Sequence, residues 1–233
     1  YNVGILRTGA QYRTLTEAYN AAQAGDSILI IDAGVYAETL VVSKTLTFVG
    51  YGIDTGGVWN IQPVWEDPGT GSRIVYLAAA CTLVGIKFKC NTSGINVFAM
   101  NGSDQPVLIK RCEMDGNNLG VNMIRVQYYD DGPITIDSCR IHDFTWHAIY
   151  TRGNGNQTYS NNEIYHCGSS GWDCAVLLYS STNVNFKNNR LYNIRSHGAI
   201  MLRLCQDSRI VGNLIYNCCR GAVSYTHLTL PTN

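Results

Sequence analysis

The chain has few charged residues, no excess of either sign and no long hydrophobic run, and these features narrow the possible classes of protein. Only 15% of its 233 residues are charged, and 17 basic residues balance 17 acidic ones. A net charge of zero gives no electrostatic reason to expect nucleic acid or an anionic membrane as a partner. No apolar stretch approaches the ~20 residues of a membrane-spanning helix. The hydrophobic content of 45% in turn excludes a disordered chain.

What the chain does have is an internal repeat made of two motifs. The first alternates apolar and polar residues around an anchor that returns about every two dozen positions, at Cys112, Cys139, Asn162, Asn189 and Asn213. The second keeps the same period and reads HAIYT, CAVLL and GAIML, beginning at His147, Cys174 and Gly198. This period predicts a solenoid in which each coil packs on its neighbours. Coils of this length fit three short strands, with equivalent strands stacked in parallel about 4.8 Å apart.

The nine cysteines do not have the pattern of a disulfide framework or a zinc site, since their number is odd and only the adjacent Cys218 and Cys219 are closely spaced. Cys112 and Cys139 share one repeat position, as small buried residues of a core would. We therefore expect free thiols in the core and predict no cofactor. The adjacent Asp130 and Asp131 fall far short of the oxygen cage that calcium requires.

A single elongated domain is predicted for residues 1–222. Residues 1–26 read as a cap, because Thr14 and Glu17 have capping-box spacing and a short helical run follows. Residues 53–73 interrupt the period, and we predict that they form a long loop excursion, which is either functional or a lid that only packs on the outside of the solenoid.

The N-terminal segments carry a family resemblance. Residues 12–18 (YRTLTEA), 24–30 (AGDSILI), 34–38 (GVYAE) and 46–50 (LTFVG) are similar to the first coil of pectin-lyase-like right-handed parallel β-helices. The resemblance covers residues 10–222 and implies an all-β, single-stranded right-handed parallel β-helix. It also implies a polysaccharide-facing protein that is extracellular, at the cell surface or on a virion. The family spans lyases, glycoside hydrolases, esterases, epimerases, adhesins and phage tailspikes, and none of their activity-specific motifs is matched.

The end of the chain has a different resemblance. Val223–Asn233 is similar to a translated DNA-sequencing adaptor, and the repeat stops there in the middle of a coil. We expect residues 223–233 to be a non-native tail, and we expect the coils of the natural protein to continue beyond it.

Equivalent positions of neighbouring coils lie side by side in a solenoid, so chemistry is sought in columns. One column of anchors is predicted to form an inward ladder of hydrogen-bonded amides: Asn162, Asn189 and Asn213. A second column is predicted to form an outward aromatic stack, which is either a sugar platform or a plain surface ladder: His142, Tyr165, Tyr192 and Tyr216.

The second motif predicts a shallow groove on the outer face of its strands. Strict alternation points three columns outward: Ala148, Ala175 and Ala199; Tyr150, Leu177 and Met201; and Arg152, Tyr179 and Arg203, which Arg125 is expected to join. A further column lies just before the strands: Trp146, Asp173 and His197. Alanines between two polar walls suit a sugar chain, and arginine favours a carboxylate or sulfate on it. The predicted binding residues are Trp146, Tyr150, Arg152, Tyr179 and Arg125.

The same groove offers candidates for catalysis. Asp173 and His197 are one coil apart and have the chemistry of an acid/base pair, and Arg203 is placed to stabilise a developing negative charge. Proton removal beside a uronate carboxylate, by a lyase or epimerase, needs such a set. Hydrolysis needs two carboxylates, for which Asp143 with Asp173 or Asp115 is the alternative. Passive binding stays open, because bends of such coils are rich in Asp and His in any case.

Two functions from different classes follow from these patterns. The first is a polysaccharide-binding or polysaccharide-processing β-helix that acts through this groove. The second is a structural or adhesive shaft, such as a segment of a phage tail fibre or bacterial surface protein. A shaft of this kind is usually trimeric and needs long apolar patches on an outer face, whereas the columns here are mixed. The protein is thus predicted to be a monomer or a homotrimer.

Overall fold

The computed structural model describes residues 1–4, 9–50, 62–101, 105–127, 132–153, 155–168, 174–195, 198–219 and 221–224. They form one short helix, α1 (Leu15–Ala21), and 25 strands that stack into three parallel sheets. Among the described residues, no helix has the length and apolar character of a membrane span.

The strands are numbered in chain order and grouped here by sheet. Sheet A contains β1 (Asn2–Val3), β2 (Ser27–Ile30), β5 (Leu46–Gly50), β8 (Cys81–Val84), β11 (Val107–Lys110), β14 (Ile134–Asp137), β17 (Gln157–Ser160), β20 (Val184–Lys187) and β23 (Arg209–Val211). Sheet B contains β3 (Val35–Ala37), β6 (Val64–Glu66), β9 (Lys87–Lys89), β12 (Glu113–Asp115), β15 (Arg140–His142), β18 (Glu163–Tyr165), β21 (Arg190–Tyr192) and β24 (Leu214–Tyr216). Sheet C contains β4 (Leu40–Val42), β7 (Arg73–Leu77), β10 (Asn96–Asn101), β13 (Asn122–Gln127), β16 (Ile149–Arg152), β19 (Cys174–Tyr179), β22 (Gly198–Arg203) and β25 (Ala222–Ser224).

Each regular coil supplies one strand to each sheet, in the order A, B, C. A strand pairs in parallel with its equivalents in the coils before and after, as when β14 pairs with β11 and β17. The predicted solenoid of three strands per coil is therefore confirmed. Because every strand is short, no coil buries an apolar core alone, and stability comes from stacking.

The core is a continuous column of inward side chains along the axis. Its widest part is an aromatic stack in which Trp65 lies between Phe48 and Phe88, with ring centroids 5.6 and 5.5 Å away. The Trp65 ring is fully buried, and its Nε1 donates a hydrogen bond to the Glu38 carbonyl oxygen at 2.8 Å. Seven of the nine cysteines are also buried, as expected, whereas Cys218 is half-buried and Cys219 exposed.

Trp65 corrects one prediction. The loop excursion expected over 53–73 is wrong for Val64–Glu66, which form β6 and pair with β3 and β9. The interruption of the period around Pro63 concealed one strand of sheet B, although the side chains of Val64–Glu66 alternate in burial like those of other strands. Residues 51–61 lie outside the described residues. The strand β25 extends to Ser224, two residues beyond the predicted boundary at residue 222, and that boundary stays a prediction.

The predicted N-terminal cap helix is confirmed, together with its capping box. The Thr14 side chain accepts a hydrogen bond from the Glu17 backbone at 3.1 Å, and the Glu17 carboxylate accepts one from the Thr14 backbone at 3.3 Å. The first coil adds a second contact, because the Glu38 carboxylate accepts hydrogen bonds from the backbone N–H groups of Leu15 and Thr16, each at 2.8 Å. These bonds join the positive end of α1 to the solenoid.

The inward asparagine ladder sits at the corner between sheets A and B. Asn189 is 1% exposed, and its Nδ2 donates to the Tyr159 carbonyl at 2.9 Å and to Asn213 Oδ1 at 3.0 Å. Its Oδ1 accepts from the Asn162 backbone at 3.0 Å. The residue before each ladder position takes a left-handed conformation, with φ of 57° at Asn161, 54° at Asn188 and 65° at Gly212. The side-chain amides thus satisfy backbone groups that the sharp corner leaves without strand partners.

We predict that Asn189→Ala destabilises the protein by about 3 kcal/mol, because it leaves a buried carbonyl and a buried N–H group unpaired. Urea unfolding followed by circular dichroism measures this. Asn185→Ala is the matched control, since Asn185 lies on the outer face of β20 in the same coil. Equal losses in the two variants would show that the ladder contributes no specific stability.

Candidate functional site

The predicted groove floor is not on the surface. Ala148, Ala175 and Ala199 do stack in one file, but all three are fully buried and belong to the core. The residue that follows each alanine is fully buried as well, which breaks the alternation assumed from the sequence. In the pairing of β19 with β22, Cys174 lies opposite Gly198 and Val176 lies opposite Ile200, and the regular pairing passes over the alanine between them. A kink at the start of β16, β19 and β22 therefore turns two successive side chains inward, and a groove floored by these alanines is excluded.

The other two predicted columns do face outward. Tyr150 pairs with Leu177 and Leu177 with Met201, while Arg152 pairs with Tyr179 and Tyr179 with Arg203. The placement of Arg125 beside Arg152 was wrong. Arg125 pairs with Tyr150, because this coil is two positions shorter than the sequence argument assumed. We call the outward residues of these strands the sheet C face: Arg73, Tyr76, Ala99, Arg125, Tyr150, Arg152, Leu177, Tyr179, Met201 and Arg203.

Within the sheet C face, two arginines enclose a tyrosine ring. The guanidinium carbons of Arg152 and Arg203 each lie 5.2 Å from the centroid of the Tyr179 ring, and the two arginines come from the strands on either side of it. Both arginines are exposed. Tyr179 therefore contacts cations from both neighbouring coils, and its role as a binding residue stays a prediction. The arginines themselves stay accessible to an anion.

Trp146 is the most exposed of the Trp, Tyr and Phe residues that the structure describes. It precedes β16, and 53% of it is exposed, compared with 37% for Tyr216. Its backbone N–H donates to the Val121 carbonyl at 3.2 Å, which fixes the main chain beneath the indole. Tyr150, four positions on, is half-buried because His147 stacks on its ring at 5.6 Å. The predicted partners of Trp146, Asp173 and His197, lie outside the described residues, as do Asp130 and Asp131.

A second cluster of ionisable residues, most of which the sequence analysis missed, lies on the outer face of sheet B. One column alternates in charge from coil to coil: Lys87, Glu113, Arg140, Glu163 and Arg190. Adjacent members form ion pairs, with Lys87 Nζ 2.7 Å from Glu113 Oε1 and Arg140 Nε 3.4 Å from Glu163 Oε2. Reading this column at the repeat period would have revealed the alternation.

His142 occupies the neighbouring column and contacts three carboxylates from two adjacent coils. Its Nδ1 lies 2.7 Å from Asp143 Oδ2 and 3.8 Å from Asp115 Oδ1, and its Nε2 lies 3.4 Å from Glu113 Oε1. Ionised carboxylates only accept hydrogen bonds, so this arrangement favours the imidazolium form of His142, which donates from both ring nitrogens. The structure thus brings together Asp115 and Asp143, the alternative pair for hydrolysis, but around a shared cation.

The pKa values of this cluster favour a structural role over proton transfer. Burial alone would raise the pKa of Glu113, but hydrogen bonds from His142 and Lys87 outweigh it and lower the pKa to about 2. Burial would likewise lower the pKa of His142, but its bonds to Glu113 and Asp143 raise it instead. A general acid needs a pKa near the working pH, and Glu113 is shifted away from it.

The same residues have the spacing of a metal site, since Glu113, Asp115 and His142 offer ligand atoms within 4.8 Å of one another. The Lys87 ammonium, however, already lies 2.7 Å from Glu113 and 3.3 Å from Asp115. It balances the carboxylate charge from within the protein. We therefore assign the cluster to the joining of coils.

The outward aromatic stack is confirmed beside this cluster. The centroids of His142 and Tyr165, Tyr165 and Tyr192, and Tyr192 and Tyr216 are 4.8, 5.0 and 5.2 Å apart, with interplanar angles of 8°, 10° and 7°. Tyr165 and Tyr192 therefore each have a neighbouring ring stacked on both faces. A sugar platform needs an open face, so the geometry favours the alternative of a plain surface ladder.

We predict that the stability of the protein has a pH window set by this cluster. The contribution of Glu113 is present above its ordinary pKa of 4.5 and is lost as the pH falls towards 2. The contribution of His142 is complete below its ordinary pKa of 6.5 and is lost as the pH rises through its raised value. Urea unfolding at a series of pH values should therefore show the free energy of unfolding declining on both sides of this window.

The variant His142→Gln should remove much of the alkaline decline, whereas His166→Gln, at a half-exposed imidazole one coil on, should retain it. If His142→Gln shows the full alkaline decline of the unaltered protein, His142 is not the group responsible.

The comparisons with known proteins agree with the described architecture. The family model "Right handed beta helix region" matches residues 74–230. The native crystal structure of the GH136 lacto-N-biosidase from Eubacterium ramulus is similar with a TM-score of 0.58 and 10% identity, over 91% of this chain and 55% of that chain. The PL6 family alginate lyase AlyGC is similar with a TM-score of 0.50 and 10% identity, over 90% of this chain and 38% of that one.

The chain therefore spans about half, or less, of the length of these two solved structures. No curated protein sequence matches it. The family model covers well over half of the chain, and its description agrees with the three stacked parallel sheets. The chain belongs to the right-handed parallel β-helix family.

Proposed function

We propose that this β-helix binds an acidic polysaccharide along the sheet C face. The two solved structures of similar fold are named as a lacto-N-biosidase and an alginate lyase, and both names refer to glycans. Their low identity supports the fold alone, so the proposal depends on the surface of this chain. A polysaccharide partner is in keeping with a place outside the cell, at a cell surface or on a virion.

The observation that carries the proposal is a difference in charge pairing between two faces. On sheet B, cations alternate with carboxylates and pair with them, as Lys87 and Arg140 do with Glu113. On the sheet C face, no described carboxylate lies within ion-pair distance of Arg73, Arg152 or Arg203. The net charge of zero conceals this local excess. Guanidinium groups without internal carboxylate partners favour an external carboxylate or sulfate.

An exposed indole supplies the other half of sugar recognition. Trp146 stands at the edge of the sheet C face, at the entrance to β16, while Arg152 ends the same strand. A sugar that stacks on the indole thus lies one strand length from a guanidinium. Stacking holds the apolar face of a sugar ring, and arginine selects those rings that carry a negative charge.

The structural shaft is less well supported as an alternative. A trimeric shaft needs a continuous apolar stripe along an outer face. Most of the large exposed apolar side chains in the described part of the chain lie on the first or last coil: Leu29, Val35, Val41, Val211, Leu214 and Tyr216. Monomer and homotrimer both remain predictions.

We predict that Arg152→Ala combined with Arg203→Ala weakens binding of a uronate oligosaccharide at least about tenfold, or about 1.4 kcal/mol. Titration calorimetry measures the affinity. The matched control is Lys187→Ala combined with Arg209→Ala, which removes the same charge from exposed positions on sheet A. Equal affinities for the two double variants would move the binding site away from the sheet C face.

Catalysis at this face is a separate proposal, with Asp173 and His197 as the acid/base pair and Arg203 stabilising the developing charge. We predict that Asp173→Asn abolishes release of unsaturated uronate from an acidic polysaccharide and retains binding. The ultraviolet absorbance of the unsaturated product measures the reaction, and Asp207→Asn, a substitution at an exposed bend, is the control. Binding without any product in the unaltered protein would leave a binding domain and reject the lyase.

A further inference from the structure

A depression interrupts the sheet C face two coils before Arg152. In one outward column, Tyr76 of β7 pairs with Ala99 of β10, and Ala99 pairs with Arg125 of β13. A single methyl group therefore lies between two long side chains. The resulting cleft has a volume of about 400 Å³, which falls in the range of small-ligand sites.

The floor beside Ala99 is held in place by buried polar contacts. Asn96 is 6% exposed; its Nδ2 donates to the Ser72 carbonyl at 3.2 Å, and its Oδ1 accepts from Asn122 Nδ2 at 2.8 Å. Three successive coils are thus linked under the cleft. A site with a fixed floor loses little conformational freedom when a ligand binds.

Positive charge reaches the cleft from both sides. The Arg73 guanidinium carbon lies 4.6 Å from the centroid of the Tyr76 ring on one wall, and Arg125 is exposed on the other. Their strands are separated by β10, so the two backbones are two strand spacings, about 10 Å, apart. Both arginines line the cleft together with Ala99.

We infer that this cleft is a subsite for a single anionic sugar ring, a uronate or a sulfated residue, seated over Ala99 between Arg73 and Arg125. The inference rests on the proposed function, and it names the cleft as the place on the sheet C face where the anionic group of the glycan is recognised. A carboxylate or sulfate accepts paired hydrogen bonds from guanidinium groups, and the ring occupies the space that the alanine leaves. Arg125 adjoins Tyr150 in the next coil, so the chain leaving the cleft continues towards Trp146 and Arg152.

The cleft can be filled without disturbing the core, because Ala99 points outward. We expect Ala99→Leu to weaken binding of a uronate tetrasaccharide at least tenfold in titration calorimetry. It should change binding of the matched carboxyl-reduced, neutral tetrasaccharide less than threefold. Ala99→Ser should keep full affinity, since serine adds only one small atom. Ala37→Leu, at an exposed outward position on sheet B, is the control for adding the same side chain elsewhere.

A second variant guards against misfolding of the first. Arg73→Gln keeps a long polar side chain and removes one charge. It should weaken binding of the uronate tetrasaccharide by a similar factor, at least tenfold. Thermal unfolding followed by circular dichroism verifies the fold of each variant. A sulfated, uronate-free tetrasaccharide tells which anion is preferred.

The outcomes separate the inference from the proposed function. If the unaltered protein binds none of the three tetrasaccharides, the proposed function fails. If it binds the uronate ligand and both Ala99→Leu and Arg73→Gln bind equally well, the cleft is not a subsite, although the sheet C face still binds glycan. Equal losses for charged and neutral ligands would overturn the anion selectivity.

Discussion

Hydrogen bonding between coils is the constraint on which the rest of the structure depends. Each strand has partners only in the coils directly before and after it, so a single axial spacing of about 4.8 Å is imposed on every column of side chains. The outward rings obey it, with centroids 4.8 to 5.2 Å apart and nearly parallel planes. The corner asparagines extend the same bonding to backbone groups that the strands leave unpaired, as Asn162 and Asn189 do in adjacent coils.

This spacing also decides how charge is distributed. Two like charges stacked in one column at about 5 Å would repel by about 3 kcal/mol at an effective dielectric constant of 20. Sheet B avoids the repulsion by alternating sign, with Glu113 between Lys87 and Arg140. The sheet C face separates Arg152 and Arg203 by an uncharged ring and leaves no described carboxylate beside them. Among the described residues, the cations of sheet B are therefore paired with carboxylates of neighbouring coils, whereas Arg152 and Arg203 contact the ring of Tyr179.

The errors made from the sequence share a physical cause. Strict alternation holds only while a strand stays straight, and the kink at the start of β16 turns Ala148 and Ile149 inward together. Constant period holds only if coils are of equal length, and one shorter coil brings Arg125 beside Tyr150 instead of Arg152. Trp65 was assigned to a loop because a neighbouring interruption hid its strand, although its ring fills the core. The cleft at Ala99 was missed because the first regular coils carry neither repeat motif clearly.

The sequence by itself determined the period, the parallel β-helix, the capping helix and the inward asparagine ladder. These features follow from residue types that recur at fixed offsets, and coil stacking converts each offset into a contact. Only the tertiary structure decided which side chains reach solvent, how the charges of Glu113 and His142 are balanced, and where the sheet C face opens into a cleft. Those outcomes depend on strand kinks and coil lengths. A kink turns a side chain from the surface into the core, as at Ala148, and a shorter coil places it beside a different neighbour, as at Arg125.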